Sequence, residues 1–152
     1  MRLKLPRDQA DRLKSLLGKA GRREIGGVLM GEQIAVGCFR IVDFSVDEHT
    51  GSAVHFVRSP EDHKAALDAF FARTGRDYAR FNYLGEWHSH PSFSTRPSRE
   101  DVSAMTDLVT GERSIDFSVL LIARLRFLKR LDVSSFVFSR YAPPQRATFN
   151  CE

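Results

Sequence analysis

Gly85-Glu86-Trp87-His88-Ser89-His90-Pro91 is followed, after ten intervening residues that follow His90, by Asp101 in Ser98-Arg99-Glu100-Asp101. The apolar run Phe81 to Leu84 feeds the first of these segments and predicts a strand. Side chains two apart on a strand share a face, so His88 and His90 point the same way, close enough to hold one ion. Asp101 comes after a Ser/Pro loop, at the predicted start of a helix. Two imidazoles and one carboxylate make three protein ligands and leave one position open, the count of a catalytic zinc rather than a structural one. Trp87 and Ser89 alternate to the opposite face, which assigns Trp87 to the core. Glu86 shares the histidines' face.

Working upstream, Glu24-Ile25-Gly26-Gly27-Val28-Leu29-Met30-Gly31 reads as a carboxylate at the mouth of an apolar strand. Taken alone, Glu24 is a surface carboxylate paired with Arg22 or Arg23. The adjacent glycines change that reading, because glycine in a strand permits close approach of another backbone. Downstream, Ser98-x-x-Asp101 also satisfies a helix-capping pattern. Ser98 can therefore be only an N-cap, and Asp101 only a favourable charge in the first turn. Asp101 can serve as cap and ligand together if its second oxygen is free.

His-x-His-Pro, then Ser-x-x-Asp at this spacing, with a glutamate before an early strand, resembles the JAMM (MPN-plus, Mov34/MPN/PAD-like) zinc metalloprotease family, small prokaryotic stand-alone type. The likeness runs from the first helix to the last strand. It implies an α/β fold, a single domain with a mixed central sheet flanked by helices, in the cytidine-deaminase-like JAMM/MPN architecture. It implies that His88, His90 and Asp101 bind one zinc ion, that Glu24 is the general base, and that Ser98 helps hold the tetrahedral oxyanion. Glu86 is the reserve candidate for the base or for a carboxylate orienting an imidazole. The implied activity is hydrolysis of the amide bond after the C-terminal tail of a ubiquitin-like protein or its conjugate. Relatives of this type work beside ubiquitin-activating and ubiquitin-conjugating-like enzymes, including in anti-phage defence; others process a small sulfur-carrier protein. A metal-free MPN scaffold would lack one or more ligands, and all three are present.

The 152 residues and the ordinary apolar fraction bound the chain to one globular domain with a real core. No apolar run reaches the length of a membrane span, and the N-terminus lacks the apolar stretch of a signal peptide. Cys38 and Cys151 make no disulfide framework, so free thiols and a cytoplasmic location are expected. The net charge of +4, with a basic cluster at Arg124, Arg126, Lys129 and Arg130, reads as a solvated surface or a face for an acidic partner. There is no helix-turn-helix, zinc-finger or RNA-binding signature. The absence of Cys-x-x-Cys excludes a nucleobase deaminase.

The other elements follow from pattern. Leu13, Leu16, Leu17 and Ala20 form a helical stripe after Pro6, stopped at Gly21. Val28–Met30, Ile34–Val36 and Phe39–Phe44 read as separate short strands, with turns at Gly31 and Gly37, and Val54–Val57 as another. Ser59-Pro60 starts a helix carrying Leu67, Phe70 and Phe71, and ending near Gly75. His55 and His63 read as ordinary surface or core histidines. Ser98 opens a helix with Val102, Met105, Leu108 and Val109 inward, ended by Gly111. Ile115–Ala123 is a strand buried on both faces, and Leu131–Ser139 lies nearer an edge. The domain is expected to span residues 1–142, with a loose tail at 143–152 after Pro143-Pro144.

Overall fold

A computed structural model describes residues 1–47, 60–111 and 115–152. The expectations at Val54–Val57, His55 and Ser59 lie outside the described residues. The order is β1 (Arg2–Leu5), α1 (Arg7–Ala20), β2 (Gly26–Ala35), β3 (Cys38–Phe44), α2 (Pro60–Arg73), β4 (Phe81–Ser89), α3 (Arg99–Thr110), β5 (Phe117–Arg126), β6 (Arg130–Ser139), β7 (Ala142–Arg146) and β8 (Thr148–Cys151). The strands form one sheet in the order β7-β6-β5-β4-β2-β3-β1-β8. It is mixed: β4 and β5 run parallel, as do β1 with β3 and with β8, and the other pairs are antiparallel. The expected α/β single domain with helices against a mixed sheet is what the chain adopts. No helix among the described residues is long and apolar enough to cross a membrane.

Alternation along β5 sorts the core into two layers. Val119, Leu121 and Ala123 join Leu13 and Leu17 of α1 and the edge of Trp87 in one cluster. Leu120 and Ile122 face the other way, with Met105 and Val109 of α3. Each buried Leu contributes about 1.5–3 kcal/mol relative to exposure. Trp87 is 1% exposed and stacks edge-on against Phe44 at 5.3 Å, while its indole N–H donates to Ser45 O at 2.9 Å. The core role assigned to Trp87 by alternation holds. His88 therefore lies on the α3 side of the sheet, where it pairs in register with Ile122.

Two expectations need correction, and one strand was not expected. The segment read as two short strands broken at Gly31 is the single strand β2, which continues through Gly31 with a register shift after Met30. Gly31 is there for space, because a Cβ would fall 2.9 Å from the Leu84 side chain. Arg2–Leu5, not read as structure, is a strand with Leu3 and Leu5 fully buried. Residues 143–152 are not a loose tail: β7 pairs with β6, and β8 pairs with β1. Pro143 and Pro144 misled because proline cannot donate within a ladder, yet an outermost strand tolerates it. β6 lies one strand in from the β7 margin, nearer an edge than β5, as expected. A single residue, Ala147, joins β7 to β8 at opposite ends of the strand order, so the sheet is rolled until its two margins meet. Ala147 N–H donates to Ser135 O at 2.9 Å at this crossing, and Ser135 Oγ donates to Ala147 O at 3.3 Å.

Candidate metal centre

β4 runs between β2 and β5, and its last residues carry the pair. His88 is 4% exposed and His90 3% exposed, both on the face expected from their spacing. His90 lies one residue past β4, but its N–H still donates to Ala123 O at 3.0 Å, so the strand direction persists through it. The two Nε2 atoms are 3.0 Å apart. His90 Nδ1 is 2.7 Å from Ser94 O. A carbonyl only accepts, so Nδ1 carries the proton and Nε2 of the neutral ring presents its lone pair. Phe93 covers His90, with ring centroids 4.3 Å apart.

Asp101 arrives from α3. It is 6% exposed, with Oδ1 3.5 Å from His88 Nε2 and Oδ2 3.8 Å from His90 Nε2. A full capping box opens the helix: Asp101 N–H donates to Ser98 Oγ at 3.0 Å, and Ser98 N–H donates to Asp101 Oδ2 at 2.7 Å. The two roles foreseen for Asp101 thus divide between its oxygens: Oδ2 takes the cap and lies toward His90, and Oδ1 is left toward His88. For Ser98, capping the helix does not use up the hydroxyl. The cap uses a lone pair of its hydroxyl, and the hydroxyl proton is still available to donate.

The donor set fits a metal. Ligand atoms about 2.0–2.1 Å from a tetrahedral zinc lie about 3.3 Å from one another; His88 Nε2 is 3.0 Å from His90 Nε2 and 3.5 Å from Asp101 Oδ1, and the ligand atoms of all three residues lie within 4.8 Å of one another. His90 Nε2 presents a lone pair toward His88 Nε2 and the Asp101 carboxylate, an arrangement that a shared cation would fit. His88, His90 and Asp101 are the group of His, Cys, Asp and Glu side chains that can hold an ion among the described residues. Burial pushes the His90 imidazole below its ordinary range, and the charge of His88 adds to this; the Ser94 carbonyl, Asp101 and Glu24 oppose. Burial alone would raise the Asp101 carboxyl, but its hydrogen bond and charge contact with His88, with the Ser98 cap, hold it down at about 2. Neutral imidazole and ionised carboxylate are the ligating forms.

Glu24 sits where β2 begins. Ile25 N–H donates to Ser89 Oγ at 2.9 Å, and Ser89 N–H donates to Ile25 O at 2.8 Å. Gly26 pairs with His88. That register sets Glu24 across from His90, and its charge reaches the His90 ring. The glycines beside it are needed for space. A Cβ at Gly26 would lie 2.3 Å from Trp87 O and 3.0 Å from His88 Cα, and one at Gly27 would lie 2.2 Å from Ser45 O.

Glu86 lies one pleat back from His88. It is 8% exposed, and burial raises its carboxyl to about 7 against the opposing hydrogen bond from Tyr83. It does not line the histidine cluster itself but opens onto a groove of about 680 Å³ between α2 and the sheet. Val28, Phe39, Leu67, Phe71, Tyr83 and Leu108 are among the walls of that groove. His63 also lines it, 7% exposed. Its Nδ1 is 3.3 Å from Ser45 Oγ, so it is a core histidine, as read. Sequence reasoning missed Ser94, Phe93 and Ser89 as supports of the site. Ser94 acts through its backbone carbonyl, which leaves no residue-type signal. Cys38 is buried and Cys151 exposed, and both are free thiols as expected.

Residues 6–138 match the family described as prokaryotic homologs of the JAB domain. The chain belongs to that family, as the sequence motif implied. A curated relative, "CD-NTase/cGAS isopeptidase" of Enterobacter hormaechei subsp. hoffmannii (strain UCI 50), is 33% identical over 102 residues. That match takes in 61% of this chain and half the length of the relative. Among solved structures, protein DSY2949 of Desulfitobacterium hafniense superposes with a TM-score of 0.70 at 19% identity, over 99% of this chain and 92% of that one. AF2198, a JAB1/MPN domain protein of Archaeoglobus fulgidus, gives 0.51 at 16% identity over 98% of each chain. These two likenesses speak to the fold alone.

Proposed function

We propose that the chain is a zinc-dependent isopeptidase that hydrolyses the amide bond after the C-terminal tail of a ubiquitin-like protein joined to a second protein. The observation that carries this is the convergence of His88 Nε2, His90 Nε2 and Asp101 Oδ1 within ligand distance of one another, with Glu24 held across from His90. The relative named as an isopeptidase supports the reaction class. Because the match spans half of that protein, the substrate of this chain is a proposal in its own right.

A zinc held by His88, His90 and Asp101 supplies Lewis acidity and brings the pKa of water down to about 7. Glu24 accepts a proton from the attacking water and returns it to the departing amine, general-base work worth roughly 10²–10⁴-fold. Ser98 donates its hydroxyl proton to the oxyanion. Burial of both imidazoles, with Phe93 over His90, keeps bulk water from competing for the ligands. The groove that starts at Glu86 receives the apolar side chains of the substrate tail, in an extended conformation.

The test has two parts. Zinc stoichiometry is measured on protein purified without chelator, and hydrolysis is followed on a Gly-Gly-ended tail joined to lysine. One zinc per chain with cleavage at the isopeptide bond is the expected result. A protein that takes up no zinc is a binding scaffold instead. Cleavage of a sulfur-carrier precursor in preference to the isopeptide moves the substrate to that class.

A further inference from the structure

The groove begins at Glu86, two residues before His88, and runs toward the start of β4, so a substrate tail lying in it would leave the departing half on the opposite side of the site. The β5–β6 hairpin stands on that side. Ser89 pairs with Ala123, and β5 continues past it parallel to β4. Phe127 follows four residues later, about 13 Å further along the strand direction. The tip is built for contact. Phe127 is 86% exposed and Leu128 is 78% exposed. Leu128 and Lys129 both hold positive φ, 60° and 55°. Tight hairpins normally fill such positions with Asn or Gly, because a Cβ is disfavoured there. A turn serving only to reverse the chain has no use for Leu and Lys at this point.

Charge completes the pattern. Arg126, Lys129 and Arg130 are exposed around the apolar pair, and among the described residues none has an acidic partner. Nearby Arg124 differs, since it is held by Asp132 at 2.8 Å. Two apolar side chains ringed by three uncompensated cations complement an apolar spot rimmed by carboxylates. A lipid surface has related chemistry, but the tip and the metal centre stand at the same end of the sheet, so a bilayer laid on the tip would crowd the substrate's own approach.

We propose that the tip formed by Phe127, Leu128 and their flanking cations docks the protein that is released, selecting acidic, apolar surface around the conjugated lysine. This rests on the isopeptidase reading. The test uses two isopeptides with the same Gly-Gly tail. One carries it on the lysine of a peptide rich in Asp, Glu, Leu and Phe, the other on the lysine of a neutral polar peptide. The wild type is expected to favour the acidic substrate in kcat/KM by about tenfold at low salt, with the preference fading as salt rises. Phe127→Ala with Leu128→Ala, and separately Arg126→Glu with Lys129→Glu, should erase the preference and leave the neutral substrate unaffected. A preference that survives both double variants overturns the proposal, as does its absence in the wild type.

If the wild type hydrolyses neither substrate, the isopeptidase reading falls on its own. The acidic peptide titrated into the zinc-loaded protein then decides the surface: binding lost in both double variants supports it, and equal binding in variants and wild type overturns it. Retention on phosphatidylglycerol vesicles that depends on Phe127 and Leu128, without any preference for the acidic peptide, assigns the tip to a lipid surface and overturns it as well.

Discussion

Ser98 and Asp101 grip each other across the first turn of α3, each backbone N–H donating to the other's side chain, at 2.7 and 3.0 Å. The exchange fixes the carboxylate's rotation and leaves Oδ1 toward His88. Ser98→Ala should cost about 1 kcal/mol of stability through the lost cap. It should also lower kcat by about 10²-fold if the hydroxyl serves the oxyanion. Ser98→Thr keeps both functions. Chemical denaturation and steady-state kinetics on the three proteins separate the two effects: a stability loss with unchanged kcat leaves Ser98 as a cap alone.

Glu24→Gln should bind zinc as the wild type does and lose hydrolysis by roughly 10²–10⁴-fold. Metal content and turnover are measured on the same preparation. Near-normal turnover would exclude Glu24 as the base.

Gly26→Ala is a local change with a wide effect. Its Cβ meets backbone at Trp87 O and His88 Cα, which cannot give way as a flexible side chain would. β2 must separate from β4, at a cost of about 3 kcal/mol. Urea unfolding should show it, together with weakened zinc binding as His88 shifts. Unchanged stability would mean that the strands are less closely apposed than the geometry has them.

Glu86 should make the metal-free protein less stable as pH rises. Its folded carboxyl titrates at about 7, whereas the unfolded one does so at about 4.3. Between those values the folded state holds the extra proton, so stability falls with rising pH and levels off above 7. The drop has an upper limit of roughly 4 kcal/mol. Urea midpoints at pH 5 and pH 8 measure it, and Glu86→Gln should remove the difference.

Zinc binding should stabilise the fold by mass action, about 2.7 kcal/mol at a free concentration 100 times Kd. His88→Ala or Asp101→Ala should abolish both that shift and hydrolysis. Thermal unfolding with and without zinc reads the first, and a zinc-dependent shift in either variant would exclude that residue as a ligand.

Most of the centre could be read from residue order because its geometry is local. The period of a strand aligns His88 with His90, and a helix's first turn presents Asp101. Trp87 followed from the same alternation. What the order of residues did not disclose was non-local. Nothing in Arg2–Leu5 says that it will pair with Thr148–Cys151, since such a pairing depends on partners from the far end of the chain. Gly31 looks like a turn until Leu84 is seen pressing on it. Ser94 supports His90 through a carbonyl that every residue possesses.

The junction at Ala147 has a temporal consequence. Of the described strands, β1 is synthesised first and its β8 partner last. A nascent chain can assemble β2, β4 and α3 around the histidines while β1 still has one side bare. Closure of the cylinder is therefore a late event in the life of each molecule, and an unfinished chain exposes an adhesive strand edge until it happens.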